Sequence, residues 1–212
     1  MHLSFYLSSA IACSLVTGAR ASLPKGTTDW ASIRCPQDST STLPTPTYGD
    51  TDAVFTICTE QFIHAPLELV YDALIDYSSY HLWNSFVVDV EVPPDVKTPK
   101  DVYVDMPMTL ITSGVIPLVN TTSAEVVTRL EKNLPTWRSN ATMLGVLIVA
   151  EHPNILVDQG NGTTRYVSYE TYYEEPFIPS LLALKPTLQK LFEQQGKDLR
   201  AYVETLCSFK DI

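Results

Sequence analysis

Residues 60–87, EQFIHAPLELVYDALIDYSSYHLWNSFV, contain the change of pattern that decides the fold class. The stretch begins inside a β-branched and aromatic run at 53–63, which is typical of a strand. Pro66 suits the first turn of a helix, and apolar residues then recur at helical spacing over 67–77. A second short helical piece covers 78–86. The sequence therefore predicts one strand followed by two short helices.

Strand patterns dominate the next part of the chain. Residues 123–134 fit a helix or a strand, and their position between strands favours a strand. Pro107 indicates an edge or a bulge in its strand. The motif Gly160-Asn161-Gly162 is a hairpin signal between the last two strands. The predicted strand segments are 87–92, 101–114, 123–134, 136–152, 154–159 and 163–175.

The C-terminal segment has a different period. Its apolar positions follow a helical stripe over about five turns and are Leu188, Leu191, Phe192, Leu199, Tyr202, Val203 and Leu206. Pro186 is expected in the first turn of this helix or at a kink. Gly196 lies close to the stripe, where it allows close approach of the sheet or of a ligand. One amphipathic helix must lie on one face of a curved sheet, which predicts an α+β fold enclosing a ligand site.

The N-terminal residues indicate entry into the secretory pathway. Residues 1–21 combine a short apolar run with Ala19-Arg20-Ala21, a small-x-small pattern typical of signal peptidase sites. The alternative is a signal anchor, against which the small residues argue. Residues 22–52 are rich in Ser, Thr, Pro, Asp and Gly and predict an extended arm that buries little. The packed domain is expected at 53–212.

A secretory protein is open to glycosylation. Asn120, Asn140 and Asn161 each begin an Asn-x-Thr sequon, and we expect a glycan on at least one of them. A secreted or lumenal localisation follows from the same interpretation.

Three cysteines follow the predicted signal peptide. Cys35, Cys58 and Cys207 predict one disulfide and one free thiol in an oxidising compartment. Three pairings are open. A Cys35–Cys207 bridge is attractive because it would hold the arm against the last helix.

Composition and motifs exclude several classes of function. The net charge of −10 disfavours nucleic acid and anionic lipid as partners. No stretch after the leader is long and apolar enough to span a bilayer, so no stable membrane anchor is expected. The sequence has no Cys-x-x-Cys, P-loop, dinucleotide fingerprint or nucleophile elbow. We therefore expect no metal and no cofactor, and any catalysis must be acid–base chemistry in a shaped pocket.

The chain resembles the START-like (SRPBCC) superfamily over about residues 53–206. The first matching motif consists of Ala65, Pro66, Val70, Tyr71, Leu74, Asp76, Tyr80, Trp83 and Asn84. The last hairpin, the long C-terminal helix and the order of elements also match. The resemblance implies a helix-grip fold, with six to seven antiparallel strands curved around the last helix and an apolar cavity between them. The predicted signal peptide at 1–21, the arm at 22–52 and the cysteines depart from the family pattern.

The resemblance also implies that one face of the last strand lines the cavity. That face carries Tyr166, Ser168, Glu170 and Tyr172. Burial among aromatic walls would raise the pKa of Glu170 and make it a general base near neutral pH. The alternatives are a glutamate that binds a structural partner, or a reversed register in which it faces water.

Two pairs of neighbouring residues supply further candidates. Glu151 and His152 point to opposite faces of a strand, so one of them faces the cavity, and His152 is the better proton-transfer group. Trp137 and Arg138 alternate in the same way, and Arg138 is a candidate to hold an enolate or a carboxylate. The alternatives are a plain strand-edge pair and a surface arginine.

The short second helix carries the last two candidates. In the resembled family this helix gates the cavity, which implies ligand contact for His81 and wall packing for Trp83. The family contains both enzymes and carriers. We therefore expect a polyketide cyclase that performs aldol, dehydrative or lactone closure, with a carrier of a hydrophobic ligand as the alternative. A secreted interaction protein with an unused pocket is the third hypothesis.

Overall fold

The computed structural model describes residues 28–139, 142–143, 146–174 and 178–210. The predicted signal peptide at 1–21, the first residues of the arm and the Asn140 sequon lie outside the described residues. Of the helices in the described part, none is long and apolar enough to cross a membrane.

Seven strands form one antiparallel sheet, and two short strands pair separately. The strands are β1 (Ala53–Ile63), β2 (Val87–Glu91), β3 (Pro107–Ile116), β4 (Val119–Arg129), β5 (Thr136–Ser139), β6 (Thr142–Met143), β7 (Val146–Leu147), β8 (Ala150–Asp158) and β9 (Thr164–Tyr173). The order across the sheet is β1-β9-β8-β5-β4-β3-β2, and β6 pairs with β7. The predicted number and direction of strands are confirmed.

The helices are α1 (Leu67–Ile75), α2 (Tyr80–Trp83) and α3 (Ile178–Lys210). The long helix α3 lies in the concave face of the curled sheet and buries Phe192, Leu199 and Val203 there. The main core lies between α3 and the sheet, because the helix and the sheet each bury one apolar face against the other. The predicted helix-grip arrangement is confirmed.

Several predicted strand boundaries were wrong, and the start of β3 is one of them. Residues 101–106 do not extend β3, because the chain forms a 3-10 turn at Pro99–Asp101 and the strand begins at Pro107, where a missing N–H costs no ladder bond. Helix α3 begins eight residues before Pro186, with Pro179 in its first turn. Pro186 therefore lies inside the helix and cannot donate to the carbonyl of the residue four positions earlier.

Gly196 allows α3 to approach the sheet. A Cβ atom at this position would lie 2.5 Å from Oγ1 and 2.9 Å from Cγ2 of Thr59 on β1. Of the two uses expected for this glycine, the structure shows close approach to the sheet.

The arm packs against the convex face of the sheet. Trp30, Ile33 and Leu43 pack against a buried cluster of Cys58, Leu134, Ile155, Val167 and Tyr169. The arm therefore contacts the sheet through these apolar side chains, and of its described residues Thr45 alone is buried. Because the arm covers the convex face, the cavity lies on the concave face of the sheet.

Hydrogen bonds and a disulfide hold the arm in place. The buried Arg165 side chain donates to the carbonyls of Ala31 and Ile33. Cys35 is bonded to Cys58 on β1, and Cys207 is free. The favoured Cys35–Cys207 pairing was therefore wrong, since Cys58 points to the convex face, beneath the arm.

The two sequons within the described residues are exposed. Asn120 lies on β4 near the β3–β4 turn, and Asn161 lies in the turn between β8 and β9 with a φ of 54°. Glycosylation at these positions stays a prediction.

Candidate functional site

A cavity of about 80 Å³ lies between the concave face of the sheet and helix α3. Strands β3, β4, β5, β8 and β9 and the N-terminal half of α3 supply most of its wall. The lining residues are Phe86, Val87, Leu110, Thr112, Val115, Thr121, Thr122, Ser123, Glu125, Trp137, Ser139, Ile148, His152, Glu170, Tyr172, Leu181, Leu184, Leu188, Phe192 and Gln195. An apolar wall with a few polar groups is the usual composition of a small-molecule site.

Glu170 on β9 faces this cavity. The hydroxyl of Tyr172 donates to Oε2 of Glu170 at 2.8 Å. Burial raises the pKa of Glu170 to about 7, although the hydrogen bond from Tyr172 acts in the opposite direction. Glu170 can therefore take up or release a proton near neutral pH. Tyr172 stacks on Phe55 with ring centroids 4.5 Å apart, so the donor is itself held in place.

Glu125 on β4 is a second carboxyl group of the cavity wall. Its side chain is buried, and its Oε2 atom has no hydrogen-bond partner among the described residues. Burial, together with the charge of Glu170, raises the pKa of Glu125 well above its usual value. These effects favour the protonated form of Glu125, whereas the hydroxyl group of Ser123 favours the carboxylate.

His152 on β8 is held between aromatic rings. Its ring centroid lies 4.5 Å from that of Trp137 and 4.9 Å from that of Phe192. Nε2 pairs with the Ser168 hydroxyl at 2.7 Å. Burial lowers the pKa of His152 to about 3, so the imidazole is neutral at physiological pH.

The structure brings four of the predicted site residues to the cavity wall: Glu170, His152, Tyr172 and Trp137. Tyr166 and Ser168 share the concave face with Glu170 but do not reach the cavity. The Tyr166 hydroxyl donates to Asn154 at 2.8 Å, and its ring packs under the C-terminal half of α3. Ser168 instead binds His152.

Glu151 and Arg138 lie on the opposite face from the cavity, which corrects their expected roles in ligand contact. Strand alternation turns His152 and Trp137 inward and so turns their neighbours outward. The Glu151 carboxylate accepts from the backbone N–H of Thr47 at 2.8 Å and from its hydroxyl at 2.6 Å. Arg138 donates to the hydroxyl of Tyr48 at 2.9 Å. Both residues therefore hold the arm.

The two candidates on α2 also lie away from the cavity. His81 is exposed, which corrects its expected ligand contact. Trp83 packs against Tyr80, with ring centroids 4.8 Å apart, and stacks with Tyr202 at 6.0 Å. Trp83 therefore anchors α2 against α3.

Sequence reasoning missed Glu125 and Gln195. Ser123, Glu125 and Val127 share one face if 123–134 is a strand, so alternation was the available signal for a carboxyl among core residues. Gln195 is buried on α3 between Phe192 and Leu199, at the spacing of the apolar stripe. A polar residue at such a position was the second available signal.

The cavity wall contains carboxyl groups but, among the described residues, no permanently positive side chain. Among the described lining residues there are two carboxyl groups and no lysine or arginine. The described residues also contain no cluster of three or more His, Cys, Asp and Glu side chains arranged for a metal ion. The wall can exchange protons and donate or accept hydrogen bonds.

Comparison with known proteins identifies the fold. No family model matches the chain, and no curated protein matches it in sequence. A START superfamily protein from Mycobacterium smegmatis superposes with a TM-score of 0.56 at 15% identity, covering 71% of this chain and 98% of that one. The Zhui aromatase/cyclase from a Streptomyces species gives 0.55 at 11% identity, covering 74% and 95%. The di-domain ARO/CYC StfQ from the steffimycin biosynthetic pathway gives 0.57 at 10% identity, covering 72% and 52%. The chain therefore has a START-like fold.

Proposed function

We propose that this protein is a cofactor-independent cyclase that closes a ring in a compact polyketide-like substrate, with Glu170 as the general base. The observation that carries the proposal is the placement of Glu170 in the cavity wall, with Tyr172 donating to one carboxylate oxygen and a pKa of about 7. A general base works best when its pKa is close to the working pH. The two aromatase/cyclases with the same fold give independent support.

The proposed reaction is an aldol closure followed by loss of water. The Glu170 carboxylate takes a proton from a carbon beside a ketone, and the electron pair of that C–H bond forms an enolate. The enolate carbon then forms a C–C bond to a second carbonyl carbon of the same chain, and the oxygen of that carbonyl takes the proton held by Glu170. Glu170 removes a second proton, from the carbon beside the new alcohol. The C–O bond then breaks, a C=C bond forms, and the hydroxyl group leaves as water with that proton. The pKa of Glu125 is raised, and in its protonated form this carboxyl group donates a hydrogen bond to the developing oxyanion.

The size of the cavity limits the substrate. A cavity of about 80 Å³ holds roughly five to eight water-sized groups. That is the size of one six-membered ring with small substituents, whereas drug-sized ligands occupy about 300–1,000 Å³. The proposed substrate is therefore a short chain that closes to a single ring.

The test uses a linear seven-carbon triketone (heptanetrione), which closes to orcinol by aldol condensation and loss of one water. We expect the wild-type protein to accelerate orcinol formation, with a rate that rises with pH and is half-maximal near pH 7. Glu170→Gln should reduce the rate by about 10²–10⁴-fold. Glu91→Gln is the matched control, because Glu91 is an exposed strand glutamate. An unaltered rate in Glu170→Gln would remove Glu170 as the base.

The second candidate function is a non-catalytic carrier of a hydrophobic ligand. It is supported by the aliphatic and aromatic side chains that make up most of the wall. A carrier would yield unchanged ligand when the protein is incubated with polyketide or lipid extracts and analysed by native mass spectrometry. Recovery of unchanged ligand without turnover would favour the carrier over the cyclase.

We also propose that the protein works in the secretory pathway. The leader pattern at 1–21 supports this localisation, as does the Cys35–Cys58 disulfide, which suits an oxidising compartment. Mass spectrometry of the protein from its culture medium tests it, since the leader should be absent and glycans present on Asn120, Asn140 or Asn161.

A further inference from the structure

We infer that Glu125 and Gln195 form a recognition site for a hydroxyl group of a neutral ring compound, and that the same cavity rejects carboxylates. The inference rests on the proposed function, because it names the class of ligand that occupies the proposed site. It stands on two buried polar atoms without a hydrogen-bond partner, both on side chains that line the cavity, on their chemistry, and on the charges around them.

The first atom is Oε1 of Gln195 on α3. The side chain is 1% exposed, lines the cavity, and its Oε1 has no hydrogen-bond partner among the described residues. A buried amide oxygen without a donor is unfavourable, because the hydrogen bonds it makes to water in the unfolded chain are not replaced. A ligand that brings an O–H or N–H donor to this point recovers that cost.

The second atom is Oε2 of Glu125 on β4. The side chain is 6% exposed, and Oε2 is likewise without a partner among the described residues. Burial and the neighbouring charge of Glu170 raise the pKa of Glu125 well above its usual value, which favours the protonated form, whereas the Ser123 hydroxyl acts in the opposite direction. A protonated carboxyl group needs an acceptor.

The two side chains need opposite hydrogen-bonding groups in the ligand: Gln195 needs a donor, and the protonated form of Glu125 needs an acceptor. A hydroxyl group both donates and accepts, so it suits Gln195 and Glu125 alike. A carboxylate accepts but cannot donate, and an ammonium group donates but cannot accept. The ring that the proposed cyclisation forms carries hydroxyl groups, which agrees with this preference.

The remaining charges explain why anions are rejected. No lysine or arginine is among the described lining residues, and the neutral His152 offers no positive charge. A carboxylate ligand would also approach Glu170, which is partly ionised near neutral pH. A buried anion without a positive partner is strongly disfavoured.

The experiment compares four monosubstituted benzenes by isothermal titration calorimetry at neutral pH: toluene and phenol, which match in size, and the slightly larger benzoate and benzylamine. We expect phenol to bind at least about tenfold more tightly than toluene, since one buried hydrogen bond corresponds to about that factor. Benzoate and benzylamine should both bind more weakly than phenol. Gln195→Leu should reduce the preference of phenol over toluene, because only the hydrogen bond with Glu125 remains. Its control, Gln194→Leu, changes the exposed neighbour of Gln195 and should preserve the preference.

The outcomes separate clearly. Equal affinity for phenol and toluene in the wild-type protein would overturn the inference, and so would benzoate binding as tight as that of phenol. These wild-type measurements do not depend on whether the Gln195 variant folds. Because no turnover is measured, the selectivity for phenol can hold even if the triketone is not cyclised, and that result would refute the proposed function alone.

Discussion

Replacing Gly196 by alanine tests how α3 is held in the sheet. The new Cβ would lie 2.5 Å from Oγ1 of Thr59, and 3.3 Å from Cγ of Gln61. Thr59 is β-branched and so cannot easily rotate away. The helix cannot easily retreat either, because Phe192 and Leu199, on the turns before and after, are fully buried.

The expected net effect follows from two opposing contributions. Overpacking of a core costs about 1–3 kcal/mol. Alanine is a better helix former than glycine by about 1 kcal/mol. We therefore expect Gly196→Ala to lower the free energy of unfolding by up to about 2 kcal/mol.

A double-mutant cycle in urea measures this reasoning directly. Thr59→Ala removes both Oγ1 and Cγ2, so Gly196→Ala in that background should be neutral or stabilising by up to about 1 kcal/mol. Lys197→Ala, an exposed change one residue further along the helix, should stay within about 0.5 kcal/mol of the wild type. Equal destabilisation by Gly196→Ala in both backgrounds would refute close contact with Thr59 as the cause.

Two further predictions concern stability. Cys35→Ser/Cys58→Ser should lower the free energy of unfolding by about 3 kcal/mol, since the bridge closes a separation of 23 residues; a urea midpoint that reductant leaves unchanged would contradict this. Burial raises the pKa of Glu170 from 4.5 to about 7. The protonated carboxyl group therefore contributes to the free energy of unfolding below pH 4.5, and this contribution is lost as the pH rises through 7. Burial lowers the pKa of His152 from 6.5 to about 3, so stability is lost as pH falls over that range. Urea titrations across pH should show the first loss reduced in Glu170→Gln and the second in His152→Gln, whereas profiles parallel to the wild type would contradict both assignments.

Local patterns made much of the fold predictable. The change from strand to helix around Pro66, the hairpin signal at Gly160-Asn161-Gly162 and the stripe on α3 each depend on neighbouring residues. Such signals survive without knowledge of tertiary contacts. The start of α3 was not predictable from its stripe, because the helix continues through Pro186.

A site residue was predictable only where the alternation of side chains along a strand agreed with the resemblance to the START-like family. The face of β9 that contains Glu170 could be assigned in this way, whereas Glu125 lay in a segment that fits a helix or a strand. For Glu151 and Arg138, alternation shows that a neighbour points the other way, but the choice of face depends on which side the arm covers. The partner of Cys35 depends on the same contact between distant parts of the chain.

The arm gives β8 and β9 a consequence for engineering. On these two strands the even-numbered side chains, among them His152 and Glu170, face the concave side, while odd-numbered ones such as Glu151 and Thr171 contact the arm. Alternate residues of the same two strands therefore determine ligand preference and hold the arm. A library restricted to the cavity-lining positions 152, 170 and 172 would change which ligands the cavity accepts while leaving the contacts between the sheet and the arm intact.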